Sequence, residues 1–287
     1  MTTEGPPLRP REALGKELRA LRLRAGLSGE QLAERIGTSQ SRVSRTETAR
    51  YRADLDMVRR WLDVTGADED TRARLLDLAD DALVEVATYR SIFRGSLAAE
   101  QQARIRQDAA AARLRHFQPF MIPGPLHTPT YARAALHAAR VADEADIDEA
   151  VAARLQRGAR LRRAGAPSYH VVLTELALRW RPLGATPDDR VEAVEAVLAA
   201  ARSRSITVQV IPAETPTRRA AMCAFLVTDF PARLNEPTIV QVELPAVEMT
   251  FSGVEDVRAF ESVWDQMVDA ALSPQESTTF IAGLLRR

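Results

Sequence analysis

The sequence predicts a mostly α protein with a smaller α+β part, and three observations carry that prediction. Over residues 8–87, apolar side chains recur three and four positions apart, the period of amphipathic helices. In the last third of the chain, runs such as ITVQVIP alternate Ile206, Val208 and Val210 with Thr207 and Gln209, the period of a half-buried strand. Between these regions, Pro119, Pro123, Pro125 and Pro129 break a long Ala- and Arg-rich helical stretch. The expected organisation is a five-helix domain over 8–87, a connecting helix and Pro-rich loop over 88–130, and an α+β domain with a small mixed sheet over 131–287.

In the first region, LGKELRALRLRAG sets Leu14, Leu18, Leu21 and Ala25 on one helical stripe that ends at Gly26. LSGEQLAERIG follows, with Ser28 and Gln31 spaced as a capping box ahead of the inward Leu32, Ala33 and Ile36, and Gly37 as terminator. If Ser39 caps a third helix, Val43, Thr46 and Glu47 lie inward or on its flank, and Gln40, Ser41, Ser44 and Arg45 share the outer face. That face carries hydroxyls, an amide and a guanidinium but no carboxylate. It suits base edges and phosphates, or simply a solvated helix surface.

Charge is segregated in a chain with no net charge. Residues 8–52 hold eleven basic and five acidic side chains, and residues 53–87 hold four basic and ten acidic. A basic patch of this kind fits a polyanion. The segment LSGEQLAERIGTSQSRVSRTETAR resembles the helix-turn-helix of the Xre and phage-repressor type, and DLDMVRRWLDVTG supplies the next helix through Leu55, Val58, Trp61 and Leu62. The resemblance implies that Gln40, Ser41, Ser44 and Arg45 enter the major groove of double-stranded DNA, with Arg42 at the groove edge and Arg50 beyond the helix among the DNA contacts. It also implies a homodimer reading two half-sites. The chain departs from that pattern at Gly29, where a phosphate-binding glutamine is usual. It departs again at Thr46, where a larger apolar residue is usual, and at Ala49, where a glycine with positive φ is expected; the last two each loosen the motif by about 1 kcal/mol.

Downstream, TGADEDTRARLLDLADDALVEVATYR continues as a helix with Leu75, Leu76, Leu78 and Leu83 among carboxylates, and Asp68, Glu69 and Asp70 favour its N-terminal end. Thr128 followed by Pro129 reads as a helix start with a hydroxyl cap. Residues 147–164 form an Arg-rich helix, YHVVL a strand, and GATPDDRVEAVEAVLAAARS a helix with Val191, Val194, Val197 and Leu198 inward. CAFLVTDF, TIVQVEL and VEMTF supply further strands, the first two joined by PARLNEP, and Ser273-Pro274-Gln275-Glu276 opens the last helix as a capping box.

IPGPLHTPTYARAAL, ARLQRGARLRR, LTELALRW, ITVQVIP and ALSPQES resemble the C-terminal domain of actinomycete antitoxin-like transcriptional regulators that carry an Xre-type helix-turn-helix. The resemblance departs at Pro125, His127 and Gly158. It implies a transcriptional regulator whose second domain dimerises and binds a small partner protein. The alternative is a one-component regulator in which that domain senses a small molecule, with His127, Tyr131, Glu175, Arg179 and Trp180 near a pocket.

No phosphate loop, dinucleotide fingerprint, metal motif or serine elbow appears, so no cofactor and no metal is expected. Cys223 with His170 and Glu175 would allow a thiol nucleophile on paper, but a lone strand cysteine reads as packing, and the protein is expected not to be an enzyme. The single cysteine, the absence of a signal-like start and the lack of any apolar run of about 18–20 residues point to a cytoplasmic protein without a membrane span.

Overall fold

The computed structural model describes residues 10–88, 97–138, 144–217, 223–234, 236–244 and 247–286. The chain divides into two compact units, Met1–Glu85 with Thr250–Asp256, and Val86–Met249 with Val257–Arg287.

The first unit contains five helices, α1 (Pro10–Arg24), α2 (Gly29–Ile36), α3 (Gln40–Glu47), α4 (Leu55–Thr65) and α5 (Glu69–Asp81). Their apolar faces meet in one core that buries Leu14, Leu18, Leu21, Leu32, Ile36, Val43, Val58, Trp61, Leu62 and Leu75. Each such side chain contributes about 1.5–3 kcal/mol by leaving water. The indole N–H of Trp61 donates to the carbonyl of Leu18 at 3.1 Å, which satisfies its one polar atom inside the core. Two expected core positions shift. Ala25 lies beyond the end of α1 and is exposed, with Leu27 buried instead, and Leu55 opens α4 half-buried while Met57 takes the inward place.

The helix ends follow the sequence signals. The Ser28 and Gln31 capping box forms both of its bonds, at 3.1 and 2.8 Å. Gly26, Gly37 and Gly66 hold the positive φ values that end α1, α2 and α4. Asp68 caps α5 and accepts from the Thr71 amide, a bond that lowers its carboxyl pKa. After α3 the same left-handed conformation falls on Ala49, at φ 56, the one non-glycine residue with positive φ among the described residues. A Cβ in that region crowds the following carbonyl. Ala49→Gly is therefore expected to raise the stability of this unit by about 1 kcal/mol, seen as a higher urea midpoint with unchanged slope. An unchanged or lower midpoint would mean the strain is absent.

The second unit is α+β. Its strands are β2 (Arg113–Gln118), β3 (Ser168–Thr174), β4 (Ile206–Ile211), β5 (Phe225–Asp229) and β6 (Ile239–Glu243), together with most of β1 (Val84–Thr88) and β7 (Val247–Phe251), in a mixed sheet of order β1-β7-β6-β5-β2-β3-β4. β2, β3 and β4 run parallel, and β5 is antiparallel to both β2 and β6. The helices are α6 (Leu97–Ala110), α7 (Pro129–Ala138), α8 (Glu144–Leu161), α9 (Glu175–Arg179), α10 (Pro187–Ala200), α11 (Val254–Ala270) and α12 (Pro274–Leu284). Between β2 and α7 lies a 3-10 turn, Gly124–Leu126. The core joins Leu114, Leu126, Tyr131, Tyr169, Val171, Leu173, Val194, Val197, Val208, Val210 and Ile281.

Three expectations change. Residues 88–130 are not only a connection: α6 stops at Ala110, and Arg113–Gln118 forms β2, which pairs with β3 on one side and β5 on the other. The run RLRHFQ shows no clean alternation because both of its faces are buried. Its charged Arg115 is accommodated by Asp229 at 3.0 Å and Glu261 at 2.7 Å. Gln209 of β4 is likewise buried rather than facing water, with its amide bonded to His170 and to the carbonyl of Leu272. α7 does start at Pro129, but the hydroxyl of Thr128 makes no capping bond. By contrast, Ser273 and Glu276 form the expected capping box on α12.

Candidate nucleic-acid interface

The helix pair α2 and α3 is built by its caps and its core. Gly37 turns the chain out of α2, and Ser39 receives the Arg42 amide at 3.3 Å to start α3. Val43 and Thr46 point into the core, so the helical period sends Gln40, Ser41 and Ser44 to the surface, where all three are exposed. Arg50 is exposed beyond the helix end. Arg42 and Arg45 are half-buried. Their guanidinium carbons stand 4.7 and 5.6 Å from the centroid of the Tyr51 ring, within cation–π range, so one buried aromatic supports both cations.

The inner side of α3 is anchored to α1. Glu47 accepts from Nε and Nη2 of Arg22 at 2.5 and 2.8 Å, and Arg22 also donates to the carbonyl of Leu27. The pair is largely enclosed, with side-chain exposures of 11% and 8%. The bond to Glu47 raises the Arg22 pKa, so the cation is held through any ordinary pH. Gly15 lets α1 approach closely, since a Cβ there would stand 2.6 Å from the carbonyl oxygen of Thr46. Thr46 fits its buried site by donating its hydroxyl to the carbonyl of Arg42 at 2.9 Å. At Gly29, a Cβ would be in ordinary contact with Gln40 at 3.6 Å, so the start of α2 lies directly beside the first residue of the outer face.

The surface chemistry is therefore an amide, two hydroxyls and guanidinium groups on an exposed helix whose ends are fixed by caps. All the side chains expected to meet DNA lie on or just after α3. Sequence reasoning missed the roles of Tyr51 and Glu47. Tyr51 lies in an irregular segment with no period to place it, and only the folded chain brings residue 22 to residue 47.

The residues expected near a pocket in the second unit separate into two groups. His127, Tyr131 and Trp180 meet: the His127 and Tyr131 ring centroids are 4.8 Å apart, and those of Tyr131 and Trp180 6.2 Å. His127 places Nε2 2.6 Å from the carbonyl of Ile122, and burial lowers its pKa to about 3, with the positive charge of Arg154 acting in the same direction. Glu175 and Arg179 pair with each other at 2.6 Å, and Glu175 also accepts from the Ala213 amide at 3.0 Å. Cys223 is half-buried, and burial raises its thiol pKa. Among the described residues, no helix is long and apolar enough to cross a membrane.

Comparison with known proteins agrees with this division. Residues 13–75 match the helix-turn-helix domain, a module that binds DNA, and residues 101–283 match a domain of unknown function, DUF5753. No curated protein matches the chain. Among solved structures, an archaeal chromatin protein, TrmBL2, described as showing a novel mode of DNA binding, aligns over 90% of this chain and 92% of its own at 11% identity. Its TM-score of 0.27 is too low for any conclusion about fold or function. With more than half of its length matched, the chain belongs to the DUF5753 family and carries a helix-turn-helix domain at its N-terminus.

Proposed function

We propose that this protein is a sequence-specific transcriptional regulator of the Xre type that acts as a homodimer in the cytoplasm. The carrying observation is the outer face of α3: Gln40, Ser41 and Ser44 are exposed, and Arg42 and Arg45 rest on Tyr51, all within a matched helix-turn-helix domain. In this reading the amide and guanidinium contact base edges, and the hydroxyls and Arg50 contact phosphates. One such module covers a half-site, so two copies give the affinity and symmetry of an operator.

The second unit is assigned the regulatory role, by dimerising and by binding a small partner protein as in the antitoxin-like regulators it resembles. No catalytic role is proposed. The raised pKa of Cys223 keeps its thiol protonated at neutral pH, which disfavours a nucleophile.

Arg45→Ala and Gln40→Ala test the recognition helix. Each is expected to cost about 1–3 kcal/mol on the operator and to relax discrimination at one base position, measured by competition between operator and random duplex at fixed salt. Arg50→Ala, as a phosphate contact, should weaken both duplexes alike and lower the salt slope by about one. If Arg45→Ala and Gln40→Ala bind the operator as the parent does, α3 does not read the groove.

A further inference from the structure

Unsatisfied buried polar atoms are rare in folded proteins, and each one calls for an explanation. In the second unit such atoms gather where β2 hands over to α7. His127 Nδ1, Thr128 Oγ1 and Arg154 Nε are all buried without a hydrogen-bond partner. They share a place. The amide of His127 donates to the carbonyl of Gly124 at 3.2 Å, closing the 3-10 turn, and Arg154 of α8 lies over that same turn. A Cβ added to Gly124 would stand 3.3 Å from Arg154 Nε and 3.4 Å from its Cδ, so the absent side chain is what makes room for the guanidinium.

The chemistry of these atoms specifies what could satisfy them. Burial lowers the Arg154 pKa to about 10, which still leaves a cation at neutral pH. Arg154 is half-buried with its Nε unmet, and arginine offers only donors, so an anionic oxygen would satisfy it. Glu100 and Glu243 attract Arg154 but form their ion pairs with Arg104, and Asp108 pairs with Arg157, so none of them meets its Nε. The requirement of His127 is the reverse. Its Nε2 faces a carbonyl and must carry the ring proton, which leaves Nδ1 as a bare acceptor on a neutral ring. The hydroxyl of Thr128 can serve either way. The turn also leads into the N-terminal end of α7, where the helix dipole favours negative charge.

We propose that the 124–128 turn and Arg154 form a binding site for a small carboxylate with a hydroxyl or amino group on the adjacent carbon. The carboxylate meets the guanidinium, and the neighbouring O–H or N–H donates to His127 Nδ1. None of these residues belongs to the helix-turn-helix domain, so the site stands or falls independently of DNA binding, and it would give the second unit a small-molecule input.

Glycolate, glycine and acetate distinguish the requirements when titrated calorimetrically into the full chain at fixed ionic strength. Glycolate or glycine is expected to bind and raise the melting temperature. Acetate, which offers no donor to His127, is expected to bind about tenfold more weakly, the size of one lost hydrogen bond. Arg154→Met should abolish binding while its own melting temperature holds, because the apolar stem is kept and a buried donor without an acceptor has been removed. His127→Phe should erase the preference over acetate. The proposal is overturned if neither glycolate nor glycine binds more tightly than acetate, or if Arg154→Met binds as the parent does.

Discussion

Gly158→Ala is expected to destabilise the second unit by about 3 kcal/mol, the upper end of what overpacking a close contact costs. A Cβ at this position would stand 2.2 Å from the carbonyl oxygen of Pro125, and 3.2 Å from Nη1 of Arg162. The first obstacle is backbone in a turn bounded by Pro123 and Pro125, so no rotamer change relieves it and α8 must move away from the turn. Gly124→Ala supplies the contrast. The nearest atoms to its added methyl are Nε, Cδ and Cγ of Arg154, at 3.3 to 3.7 Å, and a side chain can give way at smaller cost. Denaturant titration of both variants decides the matter: equal small losses would show that α8 and the turn separate freely.

Glu47→Ala is expected to cost the first unit about 3–5 kcal/mol. The loss comes less from the attraction removed than from leaving Arg22, 11% exposed, charged and without its bidentate acceptor. Arg22→Met should cost less, because Arg19 still stands 3.9 Å from the carboxylate, and the double replacement Arg22→Met with Glu47→Ala should cost less than the sum of the two single losses. That non-additivity is the signature of a coupled pair, and additive losses would show that the two residues act separately. Because Glu47 ends α3, the single variants should also weaken operator binding although neither side chain faces outward. Restoration of binding in the double variant would tie that effect to the placement of the helix.

Much of the first unit was legible in the sequence because helix ends and helix faces are local properties. The spacing of Leu14, Leu18 and Leu21, the Ser28 and Gln31 box, and Ser39 before a polar run each depend on residues within one or two turns, and each recurs in the fold. The outer face of α3 was readable for the same reason: once Val43 and Thr46 are inward, the period fixes what lies opposite. The positive φ at Ala49 followed from the motif's need for a left-handed cap. The β2 strand was not readable. A strand buried on both faces has no alternation to show, and the ion pairs that let Arg115 lie inside come from Asp229 and Glu261, far along the chain.

The sequence by itself determined the helix-turn-helix element, the polarity of its exposed face and the mixed α+β character of the second unit, because short-range periodicity and capping chemistry encode them. Only the tertiary structure decided what holds those elements in place. The Arg22–Glu47 clasp, the Tyr51 ring beneath two guanidinium groups and the tight passage of Gly158 over Pro125 all join residues separated along the chain. The tertiary structure also decided which polar atoms go unmet. Whether Arg154 Nε has an acceptor depends on which carboxylates other arginines hold in ion pairs, and that assignment exists only once the chain has folded.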